Sequence, residues 1–193
     1  MKNNKHILLC VMGRTASGKD SLVNKLCERT NLTQIISYTT RERRVDEGGT
    51  HIFVTREDYE VMKANNEVAA YTEIAGNLYW TTVEQLYEND IYIIDPIGVE
   101  VLKQLDLPNL RLVTVFINTP DTVREERALH KRRDNKDKFR IRNLSERNQF
   151  RNMLKEASFD YAISNIEFPK AFSVLKWITQ VEGLWKNKED STE

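Results

Sequence analysis

The 193-residue sequence has few of the residues that usually mark a functional site. Its two cysteines, Cys10 and Cys27, show no metal-ligand spacing, which predicts two reduced thiols. None of its three histidines is placed to form a catalytic triad or a metal site. No long apolar run is present: the stretch from Ile7 to Met12 is too short to cross a bilayer and lacks a small-residue cleavage site. We therefore expect a cytoplasmic protein that does not insert into a membrane.

The chain also lacks an excess of charge of either sign. Lys and Arg total 29, and Asp and Glu total 29, so the formal net charge is zero. A protein without excess positive charge is not expected to hold nucleic acid or an anionic membrane by bulk electrostatics. Any anionic ligand must therefore be bound by a local cluster of positively charged groups and hydrogen-bond donors.

Five short, nearly continuous apolar runs predict strands that are covered on both faces. They are His6–Met12, Gln34–Ser37, Ile91–Ile94, Leu112–Ile117 and Tyr161–Ser164. Helical patterns separate most of them, over Lys19–Arg29, Gly98–Leu105, Asp121–Lys131, Arg140–Ala157 and Lys170–Leu184. This alternation predicts an α/β fold in which a parallel sheet lies between helices on both faces.

Residues 38–89 interrupt the alternation. Thr55 to Asp58 fit a helix capping box, and Gly76-Asn77 is a plausible hairpin turn between two short strands. We interpret this region as a small subdomain inserted into the core. Residues 186–193 are polar and are expected to form a flexible tail.

The residues that follow the first predicted strand carry the clearest chemical signal. They read G-R-T-A-S-G-K-D-S from Gly13 to Ser21, with the G-x4-G-K spacing of a phosphate-binding loop. Glycines let consecutive backbone N–H groups converge on phosphate oxygens, and Lys19 supplies a mobile charge for the β- and γ-phosphates of ATP. The expected ATP contacts are Gly13, Thr15, Ala16, Ser17, Gly18, Lys19, Asp20 and Ser21.

The magnesium position of this loop is unusual. Asp20 stands where Ser or Thr usually holds Mg²⁺. Asp20, Ser21 or water could complete the metal's coordination shell, and the sequence leaves these alternatives open.

With its later motifs, the chain resembles the guanylate kinase family of nucleoside monophosphate kinases nearly from end to end. The motifs that carry the resemblance, in order, are the loop above, Ser37–Arg41 with Arg44, His51–Val54, Gly76–Tyr79, Asp95–Gly98, the basic segment 131–142 and Phe159–Asn165. The resemblance implies a P-loop NTPase core with a five-stranded parallel sheet over residues 1–37 and 90–185. It also implies an acceptor-binding subdomain over 38–89 and a lid over about 131–142.

The resemblance further implies which residues hold the acceptor nucleotide. Arg41 and Arg44 are forked donors that suit a phosphate group. His51 falls where the family has a tyrosine that binds the acceptor phosphate, and the guanine-reading glutamate of the family falls on Ala70, with Glu73 as the nearest carboxylate. The expected acceptor contacts are Ser37, Arg41, Arg44, His51, Glu73, Tyr79, Thr81 and Asp95.

Residues 131–142 contain seven basic and two acidic side chains, as a lid that closes over a triphosphate would require. Lys19, Arg132, Arg133 and Arg142 are the expected catalytic residues. No general base is expected, because a phosphate monoester has a second pKa of about 6 and is mostly dianionic at neutral pH.

The predicted reaction is ATP-dependent phosphoryl transfer to a nucleoside monophosphate, with GMP or dGMP giving GDP or dGDP. Two alternatives stay open. Gly18 to Ser21 also resemble the loop of the ribose 1,5-bisphosphate phosphokinases, and a non-catalytic guanylate-kinase-like module would bind protein partners instead. Small-molecule nucleotides, and not nucleic acid, are the expected partners in the main interpretation.

Overall fold

The structure is a computed structural model that describes residues 5–43, 49, 51–74 and 76–185. Its central sheet has four parallel strands in the order β6-β1-β7-β8. These strands are β1 (His6–Met12), β6 (Ile91–Ile93), β7 (Leu110–Asn118) and β8 (Tyr161–Ser164). The helices that connect or cover them are α1 (Lys19–Arg29), α4 (Pro96–Gln104), α5 (Asp121–Glu126), α6 (Lys136–Glu156) and α7 (Phe168–Val181).

The prediction of five parallel strands was wrong for the part of the chain that the structure describes. The run Gln34–Ser37 lies beside β6, where Gln34 forms an isolated bridge with Ile91 and the Ile35 N–H donates to the Ile91 carbonyl at 2.8 Å. At Tyr38 the chain leaves this edge and enters a second sheet. Pairing therefore stops after one bridge, and no fifth strand forms.

Apolar clusters cover both faces of the central sheet, which confirms the predicted layers. Alternate residues of β1 face opposite sides: Leu8 and Cys10 pack toward α4 and α6, whereas Leu9 and Val11 pack toward α1 and α7. A strand that buries both faces needs apolar residues at every position, which explains the continuous runs. Cys10 is a buried thiol, and burial raises its pKa to about 12.

The inserted region forms its own four-stranded sheet in the order β3-β2-β5-β4. Its elements are β2 (Tyr38–Thr39), β3 (Ile52–Phe53), α2 (Arg56–Ala64), β4 (Val68–Ile74), β5 (Asn77–Thr82) and α3 (Val83–Glu88). The capping box at Thr55 and Asp58 is present as predicted. Asn77 was predicted in the hairpin turn, but it is the first residue of β5 and pairs with Ile74.

The predicted helix over Asp121–Lys131 is divided. After α5, residues Arg127–Lys131 form a single π-helical turn, and α6 begins at Lys136 instead of Arg140. Between them, Arg133 has a positive φ of 57°. Among the residues described above, no helix is both long and apolar enough to span a membrane.

Candidate functional site

The loop from Gly13 to Gly18 joins β1 to α1 at the carboxyl end of the central sheet. A Cβ atom on Gly13 would lie 2.5 Å from Ser17 Oγ and 3.2 Å from the Ile117 carbonyl oxygen. Gly18 has a φ of 85°, and a Cβ atom there would lie 2.5 Å from Asn165 Nδ2. Both positions therefore require glycine, because the loop folds tightly on itself and against the ends of β7 and β8.

One carbonyl group anchors this loop. The Ser17 oxygen accepts hydrogen bonds from Thr119 Oγ1 at 3.0 Å, Arg127 Nη1 at 3.2 Å and Asn165 Nδ2 at 2.7 Å. Arg127 also donates to the Asn165 and Ile166 carbonyls at 2.9 and 3.1 Å. Sequence reasoning did not assign these anchors, although Thr119 and Asn165 directly follow strands and could have been found from that position.

A buried arginine connects the loop to α6. Arg124 is 0% exposed and donates to the Thr15 carbonyl at 3.1 Å, to Asp121 Oδ1 at 2.7 Å and to Asn143 Oδ1 at 2.8 Å. Arg14 donates to the same two side chains, at 3.0 and 2.7 Å. The hydrogen bond from Arg124 is the main reason that the pKa of Asp121 is lowered. The conformation of the loop is thus coupled to the position of α6.

A second contact from α6 reaches a backbone donor of the loop. The Thr15 N–H donates to Glu146 Oε2 at 2.8 Å. Glu146 also lines the cavity beside the loop, so its carboxylate lies next to the space that an anionic ligand would enter.

Lys19 and Asp20 are the first two residues of α1, and their side chains form an ion pair. Lys19 Nζ lies 3.6 Å from Asp20 Oδ2, and the Asp20 side chain is 66% exposed. Burial acts to raise the pKa of Asp20, but Lys19, its own backbone N–H and Arg132 together lower it. Asp20 is therefore an ionised, accessible carboxylate, and the exposed Ser21 follows it. Within the described ranges, no group of three or more His, Cys, Asp or Glu residues could hold a metal ion.

One cavity lies between the loop and the inserted sheet. It is lined by Gly13 and Lys19 on one side and by Ser37, His51, Tyr79 and Asp95 on the other. Ser37 Oγ and His51 Nδ1 are joined by a hydrogen bond of 2.9 Å, and the Tyr79 ring meets the His51 ring edge-on. The structure thus brings together four of the eight predicted acceptor contacts.

Asp95 is held at the N-terminus of α4. Its Oδ1 accepts from the Gly98 N–H at 3.0 Å, as a helix N-cap, and its Oδ2 accepts from Thr72 Oγ1 at 3.1 Å. Thr72, Ala70 and Tyr92 line the same cavity. Ala70 is the position at which the resemblance places the family's guanine-reading glutamate, whereas the sequence did not indicate a role for Thr72 or Tyr92.

Three other predicted acceptor contacts lie elsewhere. Thr81 is buried and donates to Gln85 Oε1 at 2.7 Å, and the exposed Glu73 accepts from the Tyr71 hydroxyl at 3.4 Å. The Arg41 guanidinium lies over the Phe53 ring, 5.4 Å from its centroid. None of these three side chains is among the described residues that line the cavity. Arg44 lies outside the described residues.

The three predicted lid arginines also lie away from the cavity lining. Arg132 forms an ion pair with Asp134, Arg133 is exposed with its positive φ, and Arg142 is half-buried on α6. Arg132 nevertheless lies close enough to Asp20 to help lower the pKa of that carboxylate, so its positive charge reaches the start of α1.

Comparison with known proteins places this geometry in a family. The sequence model of the family described as "Guanylate kinase" matches residues 5–182. The guanylate kinase of Agrobacterium fabrum is 27% identical and aligns with 94% of this chain and 85% of its own length. That of Vibrio parahaemolyticus is 28% identical, with 96% and 92% covered.

A solved structure shows the same fold. The guanylate kinase from Anaplasma phagocytophilum superimposes with a TM-score of 0.68 at 22% identity, over 95% of this chain and 89% of its own. At 22% identity, the structural likeness supports the fold alone. The family model covers nearly the whole sequence and directly supports membership of the family. The chain therefore belongs to the guanylate kinase family.

Proposed function

We propose that this protein transfers the γ-phosphoryl group of ATP to GMP or dGMP and releases ADP with GDP or dGDP. The observation that carries the proposal is the shared cavity, in which Lys19 of the phosphate loop and Asp95 at the end of the central sheet line one space. Donor and acceptor held in one cavity can be aligned for direct transfer. The relatives described above are all named guanylate kinases, which supports guanine nucleotides as the acceptors.

The donor site rests on the loop. Its anchored Ser17 carbonyl fixes the backbone between Gly13 and Gly18, and α1 begins at Lys19 with its N–H groups toward the loop. Backbone N–H groups and a helix N-terminus form a fixed positive cradle for phosphate oxygens. Lys19 would leave Asp20 and contact the β- and γ-phosphates.

The acceptor site rests on the opposite wall. His51, fixed by Ser37, and Tyr79 would contact the acceptor phosphate, and Asp95 would accept hydrogen bonds from the N–H groups of guanine. Arg41 and Arg44 would add positive charge beside the acceptor phosphate. This assignment places the acceptor phosphate at His51 and Tyr79 and the base at Asp95, all on the wall that faces the loop.

Magnesium fits the residues at the start of α1. An accessible ionised carboxylate is a ligand that Mg²⁺ prefers, and Mg²⁺ at nucleotide sites is commonly held by only one or two carboxylates together with phosphates and water. Asp20, with Ser21 beside it, would hold the ion, which would neutralise charge on the transferred group.

The protein's own contribution to the chemistry is electrostatic. The acceptor phosphate is already a nucleophile near neutral pH. Lys19 would neutralise charge that develops on the transferred group, and Arg132, Arg133 and Arg142 would join it after residues 131–142 close over the triphosphate. The site therefore needs alignment and positive charge and does not need a general base.

An acceptor panel tests the proposal. ADP release from Mg·ATP would be measured with GMP, dGMP, AMP, dTMP, CMP and ribose 1,5-bisphosphate offered separately. We expect turnover with GMP and dGMP only, because all the relatives compared are named guanylate kinases. Turnover with ribose 1,5-bisphosphate alone would replace the proposal by the phosphokinase alternative, and ATP binding without turnover of any acceptor would contradict it.

A further inference from the structure

We propose that Tyr92 reads the acceptor base, by donating its phenolic hydrogen bond to the O6 carbonyl of guanine while Asp95 accepts from the N–H groups on the same edge. This inference rests on the proposed function. It assigns a specificity-determining residue that the sequence motifs did not indicate.

The first observation is the orientation of Tyr92. It lies on β6, where it pairs in register with Cys10 of β1, and it belongs to the apolar cluster that contains Ala70, Ile94 and Phe150. The neighbouring Ile91 belongs to the cluster on the other face of the sheet. Tyr92 therefore projects toward the inserted sheet, and it lines the cavity together with Asp95, Thr72 and Ala70.

The second observation is an unused donor. Tyr92 is only 5% exposed, yet its hydroxyl makes no hydrogen bond with any residue that the structure describes. Unlike the buried, unpartnered polar atoms of Ser17 and Trp80, this hydroxyl is not cut off from solvent, so it opens into the cavity. Burial, followed by the charge of Asp95, raises the pKa of Tyr92, so the phenol stays protonated and acts as a donor at neutral pH. A ligand in the cavity would supply the missing acceptor.

The third observation is the remaining capacity of Asp95. A carboxylate can accept about four hydrogen bonds. Asp95 already accepts one at Oδ1 from Gly98 and one at Oδ2 from Thr72, which leaves acceptor capacity on both oxygens. Thr72 therefore acts as a positioning residue that fixes the carboxylate plane.

These groups match one base edge. Guanine presents two adjacent donors, N1–H and the 2-amino group, and one acceptor, O6. A carboxylate beside a phenolic donor complements that order. Adenine presents an amino group in place of O6 and an unprotonated N1, which would face the carboxylate without a hydrogen bond. A polar site that leaves its groups unpaired with the wrong substrate rejects that substrate strongly.

The test changes one atom or one group at a time, in the protein and in the acceptor nucleotide. The ratio of kcat/KM for GMP to kcat/KM for 6-thio-GMP reports the O6 contact, and the ratio of GMP to IMP, which lacks only the 2-amino group, reports the Asp95 contacts. We expect Tyr92→Phe to lower the GMP to 6-thio-GMP ratio by roughly ten-fold, as for one lost hydrogen bond, and to leave the GMP to IMP ratio unchanged. A merely structural role would lower the rates for all three nucleotides together.

A matched control removes a different phenol. Tyr161 donates to Glu182 Oε1 at 2.6 Å and does not line the cavity, so Tyr161→Phe should leave both ratios unchanged. Thermal unfolding of Tyr92→Phe should show no loss of stability, because the removed hydroxyl has no protein partner, and a clear fall in Tm would overturn that premise. Unchanged ratios in an active Tyr92→Phe variant would overturn the inference alone. Absence of GMP turnover by the wild type would overturn the proposed function and this inference with it.

Discussion

The carboxylate of Glu146 accepts a hydrogen bond of 2.8 Å from the backbone N–H of Thr15, in the middle of the phosphate loop. Glu146 lies on α6, more than a hundred residues away along the chain, and also lines the cavity. A carboxylate that satisfies a loop N–H group places negative charge next to the space that a triphosphate would enter. The contact stabilises the loop conformation, and we expect it to oppose the binding of ATP.

Glu146→Gln should therefore tighten ATP binding. The amide oxygen of glutamine can still accept from Thr15, but the negative charge is removed. We expect the Kd for Mg·ATP to fall by roughly ten-fold or less, because one partly exposed charge contributes on the order of 1 kcal/mol. Isothermal titration calorimetry would measure it, with Glu60→Gln on the exposed face of α2 as the control. Weaker binding by Glu146→Gln would show that the carboxylate assists the nucleotide instead.

Lys19→Ala tests the phosphate loop directly. Lys19 lines the cavity and forms an ion pair with the neighbouring Asp20. Removing its charge should lower kcat roughly 10²- to 10³-fold, as for the loss of one group that stabilises a transition state. Lys25 is on the same helix and pairs with Glu28 at 2.8 Å, away from the cavity. Lys25→Ala should keep normal turnover, and a similar loss in both variants would mean that the effect of Lys19→Ala is general damage to α1.

A comparison of Gly18→Ala with Gly183→Ala distinguishes the cost of backbone strain from the cost of crowding at the loop. An alanine would have to adopt a φ of 85° and place its Cβ 2.5 Å from Asn165 Nδ2, which donates to the Ser17 carbonyl. Gly183 has a similar φ of 77°, but nothing lies within 4 Å of its Cβ position among the described residues. Gly183→Ala should cost about 1–2 kcal/mol of unfolding free energy from strain alone and leave ATP binding intact.

For Gly18→Ala we expect a larger loss of stability together with weaker ATP binding, because the displaced Asn165 releases the loop. Urea unfolding would compare the two variants, and calorimetry would give their ATP affinities. Equal stability losses and equal ATP affinities would mean that the Asn165 contact does not shape the loop.

The elements predicted most accurately are those whose ends are fixed locally. The bounds of β1 and α1 match the prediction because a polar start, a continuous apolar run and a glycine boundary all lie in adjacent residues. The run Gln34–Ser37 has strand composition too, but its pairing depends on where the chain turns at Tyr38. Composition cannot show that turn, so a fifth strand was predicted where only a bridge exists.

The same distinction holds at the candidate site. The loop residues were recognisable because one short motif contains them all. Thr72, Tyr92 and Glu146 come from β4, β6 and α6, and only the packing of these three elements brings them to one cavity. Thr81 has a hydroxyl that could contact an acceptor, but this hydroxyl donates to Gln85. No sequence motif indicates that contact.

Asp121 should make part of the protein's stability depend on pH. The hydrogen bond from Arg124 lowers the pKa of Asp121 below that of the unfolded chain. The unfolded state therefore takes up this proton at a higher pH than the folded state does. The pair stabilises the fold above the ordinary carboxyl pKa of about 4, and that contribution is lost as the pH falls through the lower folded pKa.

Asp121→Asn should be less stable than the wild type at pH 7 and should lose less stability on acidification to pH 3. The difference at pH 7 should be about 1 kcal/mol or more, because water screens the 65% exposed Asp121 side chain but the Arg124 side chain that it pairs with is only 1% exposed. Urea unfolding at the two pH values would give both quantities. Asp106→Asn is the matched control, since Asp106 is exposed and makes no hydrogen bond or ion pair with any described residue. If Asp121→Asn and the wild type lost the same free energy of unfolding between pH 7 and pH 3, the contact with Arg124 would have no role in acid stability.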